Sequence, residues 1–269
     1  MWAIYWRTIR DRRSSLAIYV AITVILVWLY VSLFPEMAKQ SERFNELMKA
    51  YPEQLMKAFG IESPGVIFSK LENFLAMEQY SLTWPILLVA LFISWGGAAL
   101  AGEIEKGTIE LLLAQPVSRS KLFWSKYLSG LSGLIVFVLV SVYSAIPLAA
   151  AYDVSYRLAH FNKMAIIGFL FGWAIFSLAI FFSALFSERG RVYFLTAGVT
   201  LIMYVLNLVA NLKESLSDLK YLSLFHYFNA NDALMENKID DLSYLVFIVS
   251  ALVFSGLGAL TFTRRDIAV

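Results

Sequence analysis

Six apolar runs decide what this chain can fold into. They cover about 14–34, 81–101, 127–151, 164–186, 192–212 and 243–262, and none contains Asp, Glu, Lys, Arg or His. Each reaches or passes the roughly 20 residues a helix needs to cross ~30 Å of hydrocarbon. Inside a bilayer a chain must satisfy its backbone hydrogen bonds internally, so runs of this length predict transmembrane helices. Composition agrees. The chain is 59% hydrophobic and only 16% charged, more apolar side chain than a soluble core of this size can hide. The expected fold is an all-α membrane protein: one domain, residues 1–269, with six spans. The first run is too long for a signal-peptide core and is expected to stay in the mature protein.

Charge between the runs predicts orientation. With both termini inside, segments 1–13, 102–126, 187–191 and 263–269 carry twelve Lys and Arg against six Asp and Glu. The outer segments 35–80, 152–163 and 213–242 carry ten against fourteen. Basic residues gather on the cytoplasmic side of membrane proteins, so both ends are expected to be cytoplasmic. A net charge of +2 argues against a nucleic-acid partner bound by bulk electrostatics. Cysteine is absent, which excludes thiolate chemistry and cysteine metal sites. His160 and His226 fall in different outer segments, so no metal site is expected. Trp28, Tyr30, Trp84, Trp124, Tyr127, Tyr152 and Tyr193 lie near run ends, as an interfacial aromatic belt would.

The segments outside the runs have patterns of their own. Trp2, Tyr5, Trp6 and Ile9 recur at helical spacing with Arg7 and Arg10 between them, predicting an N-terminal helix in the membrane interface. The first outer loop, 35–80, is predicted helical. Met37, Phe44, Leu47, Met48, Tyr51, Leu55, Met56 and Phe59 share one face, and 64–80 is a further amphipathic stretch. Gly168-x-x-x-Gly172 is a small-residue element for close helix packing, as are Gly96-Gly97 and Gly130-x-x-Gly133.

Chemistry-bearing motifs are missing. The chain lacks G-x-x-x-x-G-K-[ST], so nothing in it should cradle nucleotide phosphates, and it lacks H-E-x-x-H. Proton- and ion-coupled transporters keep ionisable groups within their spans. These spans have none, so no catalytic residue is expected and energy for movement should come from outside the chain.

The inner loop 102–126 is the most informative segment. Glu103 and Glu105 should continue the second span past the membrane surface. Gly107 suits a left-handed helix end, and Thr108 can cap a new short helix with Glu110 near its positive N-terminus. Ile109, Leu112 and Leu113 give that helix an apolar side, and Pro116 marks its end. Ser118 or Ser120 can cap a last helix carrying Lys121 and Lys126 into the third span. A short amphipathic helix so held suits either a solvated connector or a knob for another protein's groove.

This loop resembles the signature of ABC-2 type transporter permeases. The matching residues are Glu103, Glu105, Gly107, Thr108, Glu110, the leucine run 111–113 with Leu111 and Leu112, then Pro116, Val117, Ser118, Arg119 and Lys126. Phe262-Thr263-Arg264-Arg265-Asp266-Ile267 also resembles that family's ending. The resemblance implies a permease subunit of an ATP-driven transporter in a prokaryotic cell membrane, exporting its substrate. It implies a second permease chain, identical or related, and cytoplasmic ABC ATPase subunits that hold the ATP and Mg. The loop after the second span would be the coupling helix between permease and ATPase. The long outer loop resembles the subgroup with nitrous-oxide-reductase maturation, sodium-efflux and antibiotic-resistance permeases, and departs from short-loop polysaccharide exporters. From a different class, the alternative is a membrane scaffold or sensor passing force to an extracellular partner without translocating anything.

Overall fold

The computed structural model describes residues 1–40, 68–114 and 116–266. Within them every regular element is helical. The order is α1 (Trp2–Lys39), α2 (Leu71–Leu75) running into a π-helical turn (Ala76–Tyr80), α3 (Thr83–Ala99), α4 (Ala101–Glu105), α5 (Thr108–Leu113), α6 (Arg119–Tyr143), α7 (Ala145–Ala151), α8 (Leu158–Leu185) and α9 (Arg189–Leu212). A 3₁₀ segment (Glu214–Leu222), α10 (Leu224–Tyr227), α11 (Ala230–Met235) and α12 (Asp241–Arg264) follow. Among the described residues five spans are long and apolar enough to cross a membrane: α1, α6 with α7, α8, α9 and α12. A sixth exists if the 71–80 segment and α3, bent by 45°, count as one. The predicted outer-loop helices fall mostly in 41–67, outside the described residues.

Four sequence expectations change. The interfacial N-terminal helix is not a separate element: Trp2 to Lys39 is one uninterrupted helix. At ~1.5 Å per residue it is roughly 57 Å long, well beyond what one span needs. The second span does not simply continue through Glu105. It breaks at Leu100, where the backbone N–H groups of Leu100 and Ala101 both donate to the Ser183 hydroxyl, at 3.1 and 2.9 Å. The third span divides at Ser144, close to Pro147, whose ring nitrogen cannot donate to the preceding turn. Of the supposed aromatic belt, Trp84 and Tyr127 are buried inside the bundle. Trp28 and Tyr152 remain exposed and are joined by an indole-to-phenol hydrogen bond of 3.0 Å.

Helix α8 is the axis of the bundle and packs chiefly on α12, α3 and α6. In lipid, apolar burial gives helices little reason to associate, so close packing has to do it. Here the device is a ring seated on a glycine. A Cβ on Gly168 would lie 2.6 Å from the Trp84 ring, one on Gly133 2.5 Å from Trp95, one on Gly130 2.1 Å from Phe176, and one on Gly97 2.4 Å from Tyr193. Gly172 does the same for Leu134, and Gly96 meets Ala179. Trp84 is further fixed by its indole N–H, which donates to Ser141 Oγ at 2.9 Å. At the opposite end from the N-terminus, buried Glu72 ties α2 to the start of α8. It accepts from the Arg157 backbone N–H at 2.6 Å and from its Nε at 3.3 Å.

Candidate functional site

The corner between α3 and α6 gathers most of the residues that the sequence singled out. After the break at Leu100, α4 carries Glu103 and Glu105 to two different neighbours. Glu103 Oε1 accepts from Lys126 Nζ at 2.7 Å, and Glu103 Oε2 accepts from the Thr108 hydroxyl. The lysine side chain is 4% exposed and the glutamate 15%, so this is a buried ion pair. Burial alone would raise the Glu103 carboxyl. Lys126, with Thr108, outweighs that and holds it below the usual carboxylate range.

Glu105 reaches α9. Its carboxylate accepts from Arg189 Nη2 at 3.0 Å and Nε at 3.3 Å, and from the Arg189 backbone N–H at 2.7 Å. Arg189 is the first residue of α9, so Glu105 caps a helix far away in sequence and meets the positive end of its dipole. These hydrogen bonds to Arg189 hold the Glu105 carboxyl low. Gly102 leaves room for the arginine, since a Cβ there would lie 2.9 Å from Arg189 Cδ.

Gly107 adopts φ +70°, the left-handed turn its position called for, and starts α5. Thr108 is not the cap. It is the first helical residue, and its hydroxyl points back to Glu103, donating to the carboxylate and lying 3.3 Å from the Glu103 carbonyl. Ile109 and Leu112 are 2% and 4% exposed and anchor α5 onto its own bundle. Leu111 is 69% exposed, next to exposed Glu110, and Pro116 is exposed as well. Ile109 and Leu112, two residues of the apolar side read from the sequence, therefore face inward, while Leu111 faces out. Ser118 caps α6, accepting from the Lys121 backbone N–H at 3.3 Å.

One partner was beyond sequence reasoning. Arg119, at the start of α6, donates to the Arg265 carbonyl. Arg265 in turn donates to the Ala184 carbonyl at 3.0 Å and to Ser187 Oγ at 2.5 Å, closing the end of α8. Buried Phe262 packs on Phe123 beside this latch. Two stretches that each looked like a family signature thus form one structure. The only hint in sequence was that both are basic and both flank spans.

The first turns of α1 lie on the same corner. Arg7, Thr8, Asp11 and Arg12 border a cavity shared with Glu103, Lys126 and Arg189. Tyr5 donates to Ser132 Oγ of α6 at 2.8 Å, and Ile4 and Thr8 are buried. Trp2, Trp6, Arg7 and Arg10 stay exposed. Gly168 and Gly172 lie away from the corner, in the ring-on-glycine packing of α8.

Comparison with known proteins agrees with this architecture. An uncharacterized membrane protein of Bacillus subtilis (strain 168), YdbK, is 24% identical over 209 residues, covering 74% of this chain and 85% of that protein. The family model described as "ABC-2 family transporter protein" matches residues 2–267. A match of that extent, over a helical bundle with five or six apolar spans, shows that the chain belongs to the ABC-2 transporter family, membrane-embedded components of ABC transporters.

Proposed function

We propose that this chain is the permease subunit of an ATP-driven exporter and that α5 is where a cytoplasmic ABC ATPase pushes on it. The supporting observation is the geometry of one corner. Helix α5 is fastened by its buried face and presents Leu111 and Glu110 outward. Its Thr108 holds Glu103 of the preceding α4, which is tied to α6 through Glu103 and Lys126 and to α9 through Glu105 and Arg189. A push on Leu111 would therefore reach two spans as one rigid movement. ATP and Mg belong to the ATPase subunit, and a second permease chain, identical or related, completes the transporter. Both termini lie in the cytoplasm of a prokaryotic cell, in keeping with the basic inner segments.

The test is co-purification from native membrane in mild detergent with ATPase activity as readout. Leu111→Asp should lose the ATPase subunit while the permease keeps its unfolding temperature. Leu112→Ala should lower that temperature, because its side chain is buried, at a cost of about 2–5 kcal/mol. Full ATPase retention by Leu111→Asp would remove α5 as the docking element.

A further inference from the structure

A cavity of about 360 Å³ lies between the first turns of α1 and the corner formed by α4 and α5. That is within the range of pockets that take small ligands. Its charge is unbalanced. Five cationic residues border it, of which Lys126 is committed to Glu103 and Arg189 to Glu105. Arg7 has only a 3.8 Å contact with Asp11, both half-exposed. Among the described residues neither Arg12 nor Lys106 has a carboxylate within ion-pairing distance; Arg12 feels Asp11 and Glu103, and Lys106 feels Glu105, only at longer range. The buried indole N–H of Trp95, which borders the same space, also lacks an acceptor there.

Cationic donors thus outnumber the carboxylates that border the cavity, Asp11 and Glu103. Their chemical complement is an anion with several oxygens, such as a phosphate. Depth along α1 indicates where it would come from. Trp2 and Trp6 hold exposed rings just before the arginines, and the charge-free run carrying exposed Ile18, Ile22 and Ile25 begins just after them. Aromatic rings and arginines followed by an apolar stretch mark the headgroup layer of a membrane. Basic pockets at that depth suit anionic lipid headgroups.

We propose that this cavity holds the phosphodiester headgroup of an anionic phospholipid, which pins the first turns of α1 to the loop corner. The site requires no ATPase, so its test uses the permease alone and fails or succeeds separately from the transporter reading.

Delipidated permease in detergent, offered phosphatidylglycerol or phosphatidylcholine, would be weighed by native mass spectrometry. Wild type should retain one phosphatidylglycerol per chain in preference to phosphatidylcholine. Arg12→Gln and Lys106→Gln should each weaken that retention about fivefold, the share of one cation near a membrane surface. Arg13→Gln, exposed and outside the cavity, should leave it unchanged. Lys106 is exposed, so its variant carries the test if Arg12→Gln fails to fold. Equal retention of the two lipids, or equal loss from Arg13→Gln, overturns the proposal. Stabilisation by inorganic phosphate without retention of phosphatidylglycerol also overturns it, by making the ligand a soluble anion.

Discussion

Replacing Lys126 with Met would leave the Glu103 carboxylate beside a buried apolar chain, with the Thr108 hydroxyl as its remaining side-chain partner. The pair is separated by 2.7 Å and is largely out of water, so each charge depends on the other. Breaking a buried ion pair from one side costs about 3–5 kcal/mol, whereas replacing both partners with neutral groups of similar size is often close to neutral. Lys126→Met and Glu103→Gln should therefore each destabilise by about 3 kcal/mol, and the double variant by no more than about 1 kcal/mol. The assay is SDS-titrated unfolding in mixed micelles, run as a double-mutant cycle. A coupling energy of several kcal/mol is expected. If the two single losses simply added, with coupling below about 0.5 kcal/mol, the pair would not brace the corner and the reasoning would fail. ATPase stimulation of the double variant adds a second result. If it folds but is uncoupled, the charges matter to the push itself as well as to holding the corner.

Acid should loosen the same corner. Glu103 and Glu105 are both held below the ordinary carboxylate range, so their contribution is complete above the unfolded-state pKa. It is lost as pH falls through the depressed values, below about pH 4. Protease sensitivity of 102–118 should rise there, and Glu103→Gln should flatten the rise. Gly133→Ala and Gly168→Ala should each cost about 1–3 kcal/mol by driving a methyl into the Trp95 or Trp84 ring. Gly198→Ala meets open space and should leave the unfolding temperature unchanged or raise it. Arg265→Gln removes the charge closing α8 and should cost about 1–2 kcal/mol, seen as faster hydrogen exchange at 182–187.

The membrane elements were legible because hydrocarbon imposes a length and forbids charge. The apolar runs therefore fixed where spans could lie. The turn at Gly107 and the cap at Ser118 were legible too, since each is a local backbone need met by a residue suited to it. The misreadings share a cause. Thr108 has the chemistry of a cap, but a carboxylate five residues back competes for its hydroxyl. Ile109 and Leu112 form an apolar side, and periodicity cannot say whether such a side faces a partner or the chain's own bundle. Trp84 and Tyr127 sit near run ends like belt residues, yet Gly168 and Ser177 supply a seat and a hydrogen-bond partner inside. Links such as Glu105 to Arg189 and Arg119 to Arg265 join positions more than eighty residues apart, a pairing that composition and spacing do not encode.

The latch at Arg265 also sets an order of events during synthesis. Arg119 and the end of α8 are made long before it, and all the spans can enter the bilayer without it. The carbonyl that receives Arg119, and the guanidinium that closes α8, come only after α12 has been translated. Until then the corner lacks its fastening, however completely the helices have inserted. A nascent chain stalled within α12 would thus be threaded but unlocked.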